Sequence, residues 1–74
     1  MKEWDIIEVE KMANEQYPLL KVECFFSKGA LCTTIETGPF WNVMYTPLEN
    51  LIDKTSQEVV NYLIKEWERT KGIL

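Results

Sequence analysis

The last third of the chain predicts an amphipathic helix with a well-marked beginning. Thr55 and Glu58 have the spacing of a capping box, in which each side chain accepts a hydrogen bond from a backbone amide at the helix N-terminus. The helical pattern runs to Lys71 and ends at Gly72, a residue type that commonly follows a helix. The apolar residues recur at helical spacing and form one stripe: Val59, Val60, Leu63, Ile64 and Trp67. Such a stripe must pack on another element, and the strand-like stretches upstream are the candidates.

Residues 19–37 predict a β-hairpin. Alternate residues of its first strand are apolar: Leu20, Val22, Cys24 and Phe26. Lys28-Gly29 can form a tight turn, because Gly adopts a positive φ at little cost. A two-residue loop gives the following cross-strand pairs: Phe26 with Leu31, Cys24 with Thr33, and Val22 with Ile35. This register places most apolar side chains on one face and sets Lys21 opposite Glu36 on the other, an attractive pair.

The segments on either side of the hairpin are read from their periodicity and from Gly and Pro. Residues 3–12 partly alternate, and as a helix their apolar side chains scatter around the axis, so we prefer a strand. Residues 13–16 read as a connection, because Pro18 disfavours helix just before it. Residues 37–39 break the chain, residues 40–46 form a further strand that Pro47 ends, and residues 47–52 form a turn or short helix.

These elements predict a single small α+β domain over residues 1–74. We expect a three- or four-stranded antiparallel β-meander with the C-terminal helix packed on one face. The predicted core joins the helix to the hairpin and consists of Val60, Leu63, Ile64, Trp67, Val22, Cys24, Leu31 and Ile35. The composition, with 46% hydrophobic residues and only three Gly and three Pro, is typical of a folded protein and argues against disorder.

The chain lacks the side chains that most enzymes use. It has no His, which excludes Ser–His and Cys–His nucleophiles and His-containing zinc sites within it. Two cysteines are too few for a four-thiolate site. The remaining option is a pair of carboxylates, but Glu8 and Glu10 on a strand, or Glu66 and Glu68 on the helix, are most simply solvated. We therefore expect no catalytic residues, no cofactor and no metal.

Cys24 and Cys32 are expected to be free, packed thiols. In the two-residue-loop register they point to opposite faces of the hairpin, which prevents a disulfide. A three-residue loop, Ser27-Lys28-Gly29, would set them opposite each other, but the apolar face would be poorer. A bridge or a redox role therefore stays open as the less favoured alternative, and in reduced cytosolic proteins Cys behaves as a small hydrophobe.

Charge disfavours nucleic acid and membranes as partners. Twelve acidic residues against eight basic ones give a net charge of −4, without the basic cluster that phosphate binding requires. The first fifteen residues are charged and lack an apolar run, so we expect no signal peptide. No stretch approaches the roughly 20 apolar residues that cross a bilayer. We expect a cytoplasmic protein.

Aromatic residues give the only hint of a binding site. Five of them crowd the central strands: Phe25, Phe26, Phe40, Trp41 and Tyr45. Neighbours on a strand face opposite ways and one helix covers one face, so some of this aromatic surface should stay uncovered. Aromatics anchor protein interfaces. The predicted interface comprises Phe25, Phe40, Trp41 and Tyr45, with rim charges at Glu8, Glu10 and Glu36.

The expected function is that of a small acidic, non-catalytic regulator or inhibitor that occludes a surface of a protein partner. Inhibitors carried by bacteriophages and other mobile elements fit this size and charge. We also expect a homodimer that uses the same aromatics. The alternative is a single-stranded nucleic-acid-binding protein that stacks bases on sheet aromatics, although such proteins also need a positive groove.

Overall fold

The computed structural model describes residues 3–71, which form two helices on one side of a three-stranded antiparallel sheet. The elements in chain order are α1 (Ile6–Gln16), β1 (Lys21–Ser27), β2 (Ala30–Thr37), β3 (Phe40–Pro47), a 3₁₀ helix (Leu48–Leu51) and α2 (Ser56–Lys71). The strands lie in the order β1-β2-β3. This confirms the α+β meander with a C-terminal helix. Neither helix of the described part is long and apolar enough to span a membrane.

Two tight turns fix the sheet. Lys28 (φ 46°) and Gly29 (φ 77°) both have positive φ, the backbone of a type I′ turn, which matches the twist of a hairpin. The resulting β1–β2 register is the predicted one, with Val22 opposite Ile35 and Lys21 opposite Glu36. The β2–β3 turn has Gly38 at φ 59°, the positive φ that a type II′ turn needs at its first central position.

The predicted capping box begins α2. The Glu58 amide donates to Thr55 Oγ1 at 3.2 Å, and the Thr55 amide donates to Glu58 Oε1 at 3.0 Å. Both bonds satisfy donors that a helix N-terminus otherwise leaves unpaired. The helix is described to Lys71, and the predicted stop at Gly72 lies outside the described residues.

The N-terminal segment is a helix, so the predicted strand over residues 3–12 and the predicted connection over residues 13–16 were wrong. Asp5 caps α1, because its Oδ1 accepts hydrogen bonds from the amides of Ile7 at 2.7 Å and Glu8 at 3.3 Å. Val9 and Ala13, one turn apart, are the residues of α1 that are buried in the core. Ile6 and Met12 are partly buried against the same core, so these apolar residues of α1 share one helical face that the sequence analysis did not recognise.

One core joins both helices to one face of the sheet. Its buried side chains are Val9, Ala13, Val22, Leu31, Ile35, Leu51, Val59, Val60, Leu63, Ile64 and Trp67. The predicted core residues are all included except Cys24, which is half-buried against the cluster. Because the three sheet residues in this cluster point toward the helices, their neighbours along each strand point away from them. That second face is covered by neither helix.

Candidate protein-binding face

We call the side of the sheet that faces away from the helices the open face. Strand alternation and the observed register assign it nine central residues: Lys21, Glu23, Phe25, Cys32, Thr34, Glu36, Trp41, Val43 and Tyr45. The two turns determine which residues lie on the open face. If a strand slipped by one residue in either hairpin, its open-face side chains would point into the core.

An aromatic row crosses the middle of the open face. Phe25 of β1 and Tyr45 of β3 both lie opposite Cys32 of β2, one on each side. Phe25 is 50% exposed and Tyr45 is 68% exposed, yet Cys32 between them is only 1% exposed. The row therefore shields its central thiol while presenting two large rings to solvent.

The two thiols lie on opposite faces, as predicted, and both are free. Burial raises the pKa of Cys24 from its usual 9.0 to about 11, the nearby Glu10 carboxylate adds to the increase, and a hydrogen bond with Thr33 opposes it. Cys24 therefore stays protonated at neutral pH and is a poor nucleophile. Within residues 3–71, no three His, Cys, Asp or Glu side chains come together in a way that could hold a metal ion.

A second row joins an aromatic ring to an acid. Trp41, 60% exposed, lies opposite Glu36, which in turn lies opposite Lys21. The Lys21 ammonium is 3.7 Å from Glu23 Oε1, so its salt bridge runs along β1 and not across to Glu36. Glu36 makes no salt bridge with any of residues 3–71. An exposed indole and a carboxylate that forms no salt bridge within residues 3–71 thus lie side by side at one end of the open face.

The other predicted interface residues lie elsewhere. Phe40 is 70% exposed but occupies the opposite side of the sheet from Trp41, at the end of β3. Glu8 is exposed on α1, where it lines a groove of about 480 Å³ together with other residues of α1 and its cap. Glu10 is half-buried, and its Oε2 accepts a hydrogen bond from the Cys24 amide at 3.0 Å. The structure therefore brings together Phe25, Trp41, Tyr45 and Glu36, without the other three.

Side chains of α1 close the outer edge of β1. Asn14 Oδ1 accepts a hydrogen bond from the Val22 amide at 2.9 Å, and Asn14 Nδ2 donates to the Val22 carbonyl at 2.9 Å. One helical turn earlier, Glu10 binds the Cys24 amide. Sequence reasoning missed this pair because it assigned Glu10 to a strand over residues 3–12 and Asn14 to a connection over residues 13–16. The four-residue spacing of Glu10 and Asn14, which puts both on one helical face, was the available signal.

A scan against protein-family models, a search of curated proteins and a search of solved structures found no match to this chain.

Proposed function

We propose that this protein is a small non-catalytic regulator or inhibitor that binds another protein through the open face and thereby blocks a surface of that partner. The observation that carries the proposal is the exposure of Phe25, Trp41 and Tyr45 together on a sheet face that neither α1 nor α2 covers. Large aromatic side chains that are exposed on the same face of a sheet are typical of protein interfaces, in which aromatic residues are enriched. Their rings bury large area at a small cost in side-chain entropy.

Charge suggests the chemistry of the partner surface. Glu36 stands next to Trp41 without a salt bridge among the described residues, and the whole chain carries a net charge of −4. A partner with Lys or Arg around an apolar pocket would match both features. Such complementarity raises the association rate and selects the partner more than it raises affinity.

The alternative function is the binding of single-stranded nucleic acid, since the same rings could stack on bases. Phosphate binding needs cations, and Lys21 is the only one among the nine open-face residues. Its ammonium already lies within salt-bridge distance of Glu23. The electrostatics of the open face therefore favour a protein partner.

A capture experiment with matched variants tests the proposal. Wild type, Trp41→Ala and Phe40→Ala are immobilised and exposed to a lysate of cells that carry the gene. Trp41 and Phe40 are adjacent, aromatic and similarly exposed, but they lie on opposite sides of the sheet. We expect proteins retained by wild type and by Phe40→Ala to be lost from Trp41→Ala.

The competing function is tested by titrating a labelled single-stranded oligonucleotide at about 100 mM salt, a range in which phosphate contacts dominate such binding. We expect no submicromolar binding. Submicromolar binding that falls steeply with salt, or capture of proteins that is insensitive to Trp41→Ala, contradicts the proposal.

A further inference from the structure

The two edge strands of the sheet differ in whether side chains from other elements bind their outer backbone groups. β1 and β3 are both edge strands, because the order is β1-β2-β3. On β1, the side chains of Asn14 and Glu10 bind the outward amides of Val22 and Cys24. Among residues 3–71, no side chain binds the outer backbone of β3 in this way.

Hairpin geometry identifies the free backbone groups of β3. In a two-residue hairpin the closing pair, here Thr37 with Phe40, is hydrogen-bonded, and from there bonded and non-bonded pairs alternate. Trp41, Val43 and Tyr45 are then the non-bonded positions, whose N–H and C=O groups point away from β2. The same alternation applied to β1 makes Val22 and Cys24 outward, which is where the α1 side chains bind.

β3 also lacks the devices that keep edge strands apart. Natural edges carry charged residues, Pro, bulges or a covering element. Residues 40–46 contain no Asp, Glu, Lys, Arg or Pro, and Pro47 stands only at the end of the strand. β1, by contrast, carries Lys21 and Glu23 as well as its side-chain caps.

We propose that β3 pairs with β3 of a second copy of this chain, antiparallel and centred on Val43, to form a two-fold dimer with one continuous sheet. Trp41, Val43 and Tyr45 are evenly spaced, so a two-fold axis at Val43 sets Trp41 opposite Tyr45 of the second copy and Val43 opposite Val43. All three outward residues then exchange both of their backbone hydrogen bonds. A shift by two residues either way loses one of these pairs or sets an outward residue against Pro47, which has no N–H.

The second copy suits this edge better than a foreign strand for reasons of charge and shape. Two chains of net charge −4 repel, and β3 is an uncharged stretch along which they can approach. On the helix side, the α2 residues along β3 carry a neutralised pair, since Arg69 Nη2 is 2.7 Å from Glu66 Oε2. On the open face, each exposed Trp41 gains Tyr45 of the second copy as a cross-strand aromatic neighbour.

This dimer does not depend on the proposed function and is compatible with it. Opposite residues of an antiparallel pair project to the same side, so the open faces of the two copies join into one. The sheet would contain six strands, three from each copy. An acidic, aromatic surface of twice the length would then be available to a partner.

The test is the mass of the protein in solution, measured by sedimentation over a low- to high-micromolar concentration series. We expect wild type to reach twice the 8.7 kDa chain mass. Val43→Pro removes one outward N–H and leaves the β2–β3 ladder intact. We expect this variant to be folded by circular dichroism and monomeric by sedimentation. Val43→Thr keeps the N–H and the β-branched shape and should remain dimeric.

A crosslinking pair keeps the test decisive if Val43→Pro fails to fold. Oxidation should link two copies of Val43→Cys, because antiparallel partners bring Cα atoms within disulfide range. Glu23→Cys also lies on the open face, but two strands away from the paired edge, and should stay unlinked. A single 8.7 kDa species at every concentration overturns the proposal, as does a dimer that crosslinks through Glu23→Cys and not through Val43→Cys.

Discussion

The side-chain amide of Asn14 binds both backbone groups of Val22, accepting from its N–H and donating to its C=O, each at 2.9 Å. An amide side chain in this position substitutes for one residue of a neighbouring strand. It docks α1 against β1 and leaves this edge unable to pair with another chain at Val22. The two edges of the sheet therefore differ: side chains of α1 bind the backbone of β1, whereas no side chain of residues 3–71 does so at β3.

Replacing Asn14 by Ala should destabilise the fold. The substitution leaves the N–H and C=O of Val22 without their partners, and each unpaired group costs about 1–3 kcal/mol where it is shielded from water. We expect a drop of that order in the free energy of unfolding, measured by urea denaturation. Glu15→Ala is the control, because Glu15 is exposed on the same helix, and it should change stability by less than about 0.5 kcal/mol. Equal midpoints for the two variants would mean that the Asn14 bonds contribute nothing.

Replacing Trp67 by Ala tests the packing of α2. Trp67 is 7% exposed within the core, and truncation of a buried Trp costs about 3–5 kcal/mol. A domain this small has about the same total, so the variant should be largely unfolded by circular dichroism. Glu68→Ala, at the exposed neighbouring position, should fold normally. A midpoint barely changed by Trp67→Ala would show that another face of α2 holds the helix.

The elevated pKa of Cys24 predicts a loss of stability at high pH. Well below pH 9 the thiol is protonated in both the folded and the unfolded chain, and its contribution to the free energy of unfolding is constant. As the pH rises from 9.0 toward 11, the unfolded chain loses the proton and the folded chain keeps it, so the free energy of unfolding falls. Urea midpoints at about pH 8 and about pH 10.5 should therefore differ more for wild type than for Cys24→Ala. An equal difference in both proteins would assign the loss to other groups.

Sequence analysis correctly predicted the hairpin and the start of α2, which are both determined by residues close together in the sequence. Lys28-Gly29 set the hairpin register, and Thr55 with Glu58 set the start of α2, because turns and caps are made within a few residues. The sequence analysis missed α1 even though Asp5 caps it locally, because the packing of this helix depends on distant partners: Val9 and Ala13 are buried by other elements, and Asn14 binds Val22.

The candidate site was predictable in composition but not in arrangement. Alternation alone showed that large aromatics must remain uncovered, and Phe25, Trp41 and Tyr45 do share the open face. The strand order and the position of α1 decide which acids stand beside them. Glu10 was expected at the rim, but its carboxylate binds the backbone of β1, a role that follows only once Ile6–Gln16 is assigned to a helix.

Charge reversal at Glu36 should change how fast the partner associates. We expect Glu36→Lys to slow association and to reduce its dependence on salt, because complementary charge acts mainly on the encounter rate. Glu49→Lys makes the same change in net charge at an exposed position of the 3₁₀ helix. Association rates measured over a salt series compare the two, and an equal effect of both variants would mean that net charge, not the open face, guides the encounter.

The central claim is that the open face holds the partner, and the dissociation rate of the captured partner tests it most directly. Wild type, Trp41→Ala and Phe40→Ala are compared by surface plasmon resonance. The account predicts that Trp41→Ala dissociates at least about tenfold faster, the loss expected when an aromatic anchor worth more than about 1.4 kcal/mol is removed, while Phe40→Ala dissociates at the wild-type rate. Unchanged dissociation of Trp41→Ala, or faster dissociation of Phe40→Ala alone, would contradict it.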